Sequence, residues 1–400
     1  MKYTTSEVMQ FVDEEDVKFI RLAFCDVFGK QKNISIMPGE LPKAFSTGIS
    51  IDASAVRGFD AEGSCDLLLH PDPDTLAILP WRPEHGRVVR MYCTITHTDG
   101  TEFKCDTRTV LIKAVEEAKK QGVSFEFGVD SEFCLFLNDE NGNPTHIPYD
   151  KAGYMDIAPD DKGENVRREI CLSLEQMGIT PESSHHEEGP GQNKISFRHS
   201  DPLSAADNAQ TFMTVAKTIA GRNGLFASFA PKPLDEYPGN GMHIHFSVST
   251  DDDRDVLNNV IAGILARICD ITLFMNPVKD SYKRLGHFKA PSVVTWSNND
   301  RTALIRIPSR PDAQRHAELR SPDREANPYL VLALLIRAGL EGINAHSEPS
   351  PKAHIEPGKA FAEGGCDILP ASLEKALEKA KNSVFVRDVL PEEIRRAYNS

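Results

Sequence analysis

Within apolar segments of this chain, ionisable residues recur at every second position. In FEFGVDSEFCLF, Glu126, Asp130 and Glu132 share one parity, while Phe125, Phe127, Val129, Phe133 and Leu135 take the other. GMHIHFSVS carries His243 and His245, HAELRSPD carries Glu318 and Arg320, and LIRIP sets Arg306 between two isoleucines. Side chains alternate across a strand, so each such pair projects from one face. Taken singly, each fits a sheet with one face in water, or a weak surface ion pair of the Glu318 and Arg320 type. Several in one chain point elsewhere. A polar sheet face bearing carboxylates, imidazoles and arginines suits metal ions and a phosphorylated substrate together.

SSHHEEGPGQN adds His185, His186, Glu187 and Glu188 before a Gly-Pro-Gly turn, a pattern also compatible with a polar loop. Carboxylates with imidazole and no paired thiols favour a hard cation, Mg²⁺ or Mn²⁺, over structural zinc. A metal hydrolase built on the HHEE cluster is disfavoured by the surrounding arginines. The sequence has no G-x-x-x-x-G-K-[ST] loop and no G-x-G-x-x-G between a strand and a helix. A nucleotide would therefore be held by metal-bridged phosphates steadied by arginines, because phosphoryl transfer depends chiefly on positioning and charge neutralisation.

Elements of both kinds must position these residues. Residues 1 to about 100 read as short strands and turns, among them VKFIRLAFCDVFG and VVRMYCTITHTDG, with a loop-rich stretch from Ile49 to Pro83 between them. TVLIKAVEEAKKQG then places Val110, Ala114, Val115 and Ala118 at helical spacing and stops at Gly122. The spacing puts a domain boundary near Asp106, giving an N-terminal domain over 1–100 and a second over 106–400. Helical patterns follow in ENVRREICLSLEQMG, DPLSAADNAQTFMTVAKTIAGRNG, RDVLNNVIAGILARICDITLF, NPYLVLALLIRAGLEGI and SLEKALEKAKNSV, alternating with strand-like segments. Mixed α and β follows, with no internal repeat.

The chain has 400 residues, enough for two domains. A formal charge of -14 and the absence of a basic tail disfavour nucleic acid as a partner. The acidic start, MKYTTSEVMQFVDEED, lacks a signal-peptide core, and no apolar run approaches the roughly 20 residues that span a bilayer, so no membrane is expected and the cytoplasm is the expected location. Eight dispersed cysteines with no C-x-x-C pair read as buried, reduced thiols.

KPLDEYPGNGMHIHFS, from Lys232 to Ser247, resembles the K-P…G-x-G-x-H-x-x-x-S signature of the ATP region of glutamine synthetases. The order of the other motifs agrees across nearly the whole chain: IDASAVRGF near Asp52, FGVDSEF, HHEEGPGQN, SYKRL at Arg284, NNDRTALIRIP and ELRSPDREANPYL. The resemblance implies an α+β fold, with a small β-grasp-like N-terminal domain and a catalytic domain built on a curved antiparallel sheet flanked by helices. It also implies a homo-oligomeric ring, a dodecamer of two hexamers with active sites shared between subunits. The implied reaction uses ATP and Mg²⁺ or Mn²⁺ to phosphorylate the γ-carboxylate of glutamate, and ammonia or another amine then attacks the acyl phosphate.

By position, Glu132 and Glu187 match ligands of a first metal ion, His243 and Glu318 match those of a second that bridges ATP phosphates, and Asp130 stands at a further metal-binding position. Lys232, His245, Ser247 and Arg306 fall in the nucleotide region, and Gly239, His243, Arg284 and Arg320 in the substrate region. Arg301 and Arg306 fall where the transferred phosphoryl group is steadied, and Asp52 where a neighbouring subunit helps bind ammonium.

The chain departs from the family pattern at four positions. Asp130 replaces a glutamate, Lys194 stands where a third carboxylate would bind the first metal, Lys289 stands where a flap glutamate would deprotonate ammonium, and His316 replaces an arginine. Lysine accepts no metal and repels ammonium. Two readings follow: an enzyme whose metal site and flap have been altered to admit another amine or acid, or a regulatory paralogue that has lost synthesis.

Overall fold

The computed structural model describes residues 3–59, 66–82, 85–298, 300–309, 315–350 and 367–399; Cys65, Cys366 and Asn299 of the NNDRTALIRIP motif lie outside them. The chain forms two compact units. One comprises Met1–Val110, Leu172–Ile179 and Leu390–Ser400, the other Leu111–Cys171 and Thr180–Val389.

In chain order the first elements are α1 (Thr5–Glu14), β1 (Val17–Cys25), β2 (Gln31–Ile36), α2 (Leu41–Ser46), β3 (Ile49–Asp52), β4 (Asp66–Pro71), β5 (Ala77–Ile78) and β6 (Arg87–His97). They build a sheet of order β2-β1-β6-β4-β3 with β5 on β6, in which only β1 and β6 run parallel. Ile20, Leu22, Leu67, Leu69, Val89 and Met91 fill its core. Residues 5–14 form a helix where strands and turns are expected: Thr4 and Glu7 close a capping box, and Val8 and Val12 are buried one turn apart. Three strands, β3, β4 and β5, lie inside the stretch that reads as loop. Period-two alternation is too short there to stand out from its turn residues.

The remaining elements are α3 (Thr107–Lys120), β7 (Val123–Asn138), β8 (Pro144–Pro148), α4 (Glu164–Gln176), β9 (Pro181–His186), β10 (Gln192–Phe197), α5 (Pro202–Arg222), β11 (Leu225–Ser228), β12 (Met242–Thr250), α6 (Leu257–Met275), α7 (Ser281–Arg284), β13 (Trp296–Asn298), β14 (Ile305–Ile307), β15 (Ala317–Leu319), α8 (Pro328–Asn344), α9 (Leu373–Asn382), α10 (Val384–Val389) and α11 (Glu392–Tyr398). All the helices read from the sequence form. The second unit's sheet has the order β13-β14-β15-β12-β7-β10-β9, with β8 and β11 also on β7. It is antiparallel except for the β13–β14 pair. One face is apolar: Phe133 stacks on Phe229 with centroids 5.4 Å apart, and Phe212 of α5 meets both rings.

Helices α6 and α8 pack against each other at backbone distance. A Cβ on Gly263 would fall on the Ala338 carbonyl oxygen, and one on Gly342 on that of Asn259, so glycine permits this approach. Among the described residues α6 alone, at 19 residues, is long and apolar enough to cross a bilayer. It is a core helix, with Val260, Ile264, Ile268 and Ile271 buried. Arg267 and Asp270 interrupt its apolar run, so it does not stand out as a spanning segment in the sequence.

Candidate active site

Six strands of the second unit contribute to one charged face. The register sets His243 opposite Asp130 and His245 opposite Gly128. Lys194 pairs with Glu132 on one side and His185 on the other. His245 faces Glu318, which in turn faces Arg306. Because the pleat sends alternate residues to opposite sides, Val129, Phe133, Ile195, Ile244, Phe246 and Leu319 are buried on the reverse face.

Glu318 sits at the centre, its side chain only 3% exposed. Arg306 donates to its Oε2 at 2.9 Å, Arg320 donates to its Oε1, and His243 Nδ1 lies 3.2 Å from Oε1. Burial opposes ionisation, but the bond to His243 and the charge of Arg320 outweigh it and hold this carboxyl well below the usual carboxylate range. Asp130 receives Lys194 Nζ and His245 Nε2, each at 3.3 Å, and the Ser196 hydroxyl at 2.9 Å. Burial again raises, and Lys194 and His245 more than reverse the effect, so Asp130 too is firmly ionised. Burial, reinforced by Arg320 and Lys194, pushes His243 down to about 4, making it a neutral imidazole at physiological pH. Burial works against charge on Lys194 as well, but Asp130, Glu132, Glu318 and Glu187 together raise its pKa and keep it an ammonium.

Glu132 accepts the Gly241 N–H at Oε2 over 2.8 Å, while its Oε1 lies 3.9 Å from His243 Nε2. Glu187 lies beside His185, with Oε1 3.1 Å from Nε2. A buried network behind β10 fixes the loop that carries Glu187. His186 Nδ1 meets the Glu187 carbonyl at 2.6 Å and its Nε2 meets Asp150 at 2.8 Å. Both partners are acceptors, so both ring nitrogens carry hydrogen and the ring is an imidazolium. Burial disfavours that charge and the bond to Asp150 more than restores it, raising the His186 pKa. Arg167 ties Asp161 to Asn193 in the same layer. Asp150, Asp161 and His186 lie close enough to hold an ion, but Arg167 and the imidazolium already balance the two carboxylates.

Arg284, at the end of α7, is buried and donates to the carbonyls of Ser321 and Pro322. A Cβ on Gly239 would fall on the Pro231 carbonyl oxygen and lie 2.8 Å from Arg284 Cγ, so the Pro231 backbone first and the arginine stem second require the bare backbone there. Lys232 Nζ lies 4.9 Å from the Phe288 ring centre, and Ser247 is buried beside Glu126 in register. Arg301 is exposed in the turn before β14. Asp52 belongs to the first unit, exposed at the end of β3, where it accepts the Ser54 N–H at 2.9 Å. Lys289 pairs with Glu188. His316 packs against His199 and His245, with ring centres 5.5 and 5.6 Å apart.

The structure thus joins Asp130, Glu132, Glu187, His243, His245, Arg306, Glu318 and Arg320 with Lys194. Sequence reasoning missed Ser196, which lies two positions beyond Lys194 on the same face and was legible by the same alternation. It also missed the Gly241 N–H, which leaves no side-chain signal at all.

Two family models cover almost the whole chain: the glutamine synthetase beta-Grasp domain over residues 16–98 and the glutamine synthetase catalytic domain over 104–400. The chain belongs to the glutamine synthetase family. It is 42% identical to the glutamine synthetase of Clostridium saccharobutylicum over 98% of this chain and 93% of that one. It is also 42% identical to that of Methanosarcina mazei, over 98% and 92%. Among solved structures it resembles a GmaS/ADP complex at a TM-score of 0.89 and 26% identity, covering 98% of this chain and 94% of that one. A Plasmodium falciparum glutamine synthetase shares the fold at a TM-score of 0.86 and 22% identity, over 100% and 95%. The β-grasp domain and the catalytic domain with its large sheet are therefore those of the glutamine synthetases.

The family uses ATP and a divalent metal, and the donor set supports this in part. Carboxylates with the neutral imidazole of His243 suit a hard cation. Among the described residues, no lysine or arginine pairs with Glu132, His243 Nε2 or Glu187, the last of which meets only His185. Asp130 and Glu318, in contrast, are already held by Lys194 and by Arg306 and Arg320. With Asp130 and Glu318 taken, Glu132 Oε1 and His243 Nε2, 3.9 Å apart, offer a start for one ion and leave no donors for a second.

Proposed function

We propose that this glutamine synthetase relative joins the γ-carboxylate of glutamate to ammonia with ATP, through γ-glutamyl phosphate. The observation that carries the reading is the convergence of Glu132, His243, Glu318, Arg306 and Arg320 on one sheet face. One divalent cation, held by Glu132, Glu187 and His243, would neutralise phosphate charge when bound. Arg306, with Arg301, steadies the transferred phosphoryl group, while Glu318 keeps the Arg306 and Arg320 guanidinium groups in fixed directions. Arg320, Arg284 and Gly239 form the glutamate pocket, and Lys232, His245 and Ser247 the nucleotide side. Preorganised positive charge of this kind acts where negative charge develops in the transition state. Asp52 serves the amine site of a neighbouring subunit in a ring of two hexamers. Domains over 1–100 and 106–400 complete the proposal, supported by the family matches at 16–98 and 104–400.

The Lys289–Glu188 pair favours a second reading. A lysine on the flap offers no base for ammonium, and an amine already partly neutral would need none. The experiment is ADP and phosphate release by the purified protein with ATP and glutamate, first with ammonium and then with a panel of primary amines, with the amide identified by mass. Glutamate- and amine-dependent release supports ligation, and the preferred amine decides between the two readings. No release with any amine overturns both and leaves the regulatory paralogue.

A further inference from the structure

We propose that the Lys194 ammonium is a built-in cation that replaces one divalent ion of the cluster, so that the face holds a single divalent cation between Glu132, His243 and Glu187. Lys194 rises from the middle of β10 with its side chain 12% exposed. Its Nζ lies 3.3 Å from Asp130 Oδ2 and 3.3 Å from His243 Nδ1. Asp130 is an expected metal ligand, and the ammonium stands against it as an ion would, while His243 Nδ1 turns its hydrogen to Glu318.

Charge counting leads to the same conclusion. Asp130, Glu132, Glu187 and Glu318 supply four negative charges, and Lys194, Arg306 and Arg320 three positive ones, leaving one negative charge. One divalent ion overcompensates that remainder, and a second would meet net positive charge at close range with little solvent screening. With the carboxylate expected at position 194, the count would be five against two, leaving three negative charges and room for two ions. Exchanging that carboxylate for an ammonium changes the local charge by two, the charge of one divalent ion. The ammonium, unlike a bound ion, cannot dissociate or exchange with solution. Its four-carbon stem fixes it to the strand, and Ser196 and His245 keep Asp130 turned toward it.

The inference rests on reading the cluster as a cation site, and the test separates the two. Free Mn²⁺ is measured by electron paramagnetic resonance during titration of the full-length protein, without nucleotide or glutamate, so the result does not depend on turnover. The natural protein binds one ion per chain. Lys194→Glu binds two, and Lys194→Met, which removes the ammonium without adding a donor, binds its ion at least tenfold more tightly. Two ions in the natural protein overturn the proposal alone, as does an unchanged count in a folded Lys194→Glu. If Lys194→Glu does not fold, unchanged affinity in Lys194→Met overturns it. No binding in any of the three proteins overturns the cation site and the proposal together.

Discussion

Removing the Glu318 carboxylate strands two guanidinium groups and an imidazole that converge on it. Breaking a buried charge cluster from one side costs about 3 to 5 kcal/mol, because the remaining charges lose their partner but stay out of water. Glu318→Ala should therefore lower the unfolding free energy from denaturant titration by that amount and abolish phosphate release. Asp130→Asn should cost less, since Ser196 still bonds the side chain, but it frees Lys194 to turn away. The His186–Asp150 pair gives a pH-dependent prediction. The folded pKa of His186 is raised, so its stabilisation is fully present below the unfolded value of about 6.5 and is lost as pH rises through the folded value. The melting-temperature gap between the natural protein and Asp150→Asn should be larger near pH 6 than near pH 9; an equal gap at both would show that the imidazolium adds nothing. Asp130, Glu132, His243, His245, Glu318 and Arg320 were legible as residues because strand alternation is a local property of the chain. Lys194 was legible only as a departure from a pattern, and its partners were not.

At the scale of elements, the apolar reverse of the sheet and the α6–α8 contact hold the charged face in place. Gly263→Ala sets a methyl against the Ala338 carbonyl, and the helices must separate. Overpacking of this kind costs about 1 to 3 kcal/mol, so the melting temperature should fall while Mn²⁺ binding at the distant cluster stays unchanged. Phe133→Ala, by contrast, opens a cavity directly behind Glu132 and should cost about 3 to 5 kcal/mol and weaken Mn²⁺ binding as well. Helices α3 to α6, α8 and α9 were legible from their spacing and end signals. Among the short strands, β14 and β15, which carry Arg306 and Glu318, were legible as alternating segments, but β13 and the pairing of all three were not. At three residues each, they exist because neighbouring strands provide hydrogen-bond partners, and nothing in so short a stretch specifies that pairing.

For the whole molecule, the ring makes a separable prediction. Mass photometry should give twelve subunits, and mixing inactive Asp52→Ala with inactive Glu318→Gln under conditions of subunit exchange should restore part of the activity. Restoration requires that Asp52 of one subunit serve the sheet of another; no recovery in verified mixed rings would remove Asp52 from the site. The sequence by itself determined the family, the α+β class, helices α3 to α6, α8 and α9, and the parity of nearly every charged residue on the face, because periodicity and motif order are written along the chain. Tertiary structure alone decided which charges meet. Sheet register brings Asp130 and His243 each within 3.3 Å of the Lys194 ammonium across strands separated by up to 113 positions, and makes the lysine that departs from the family pattern a cation inside the cluster.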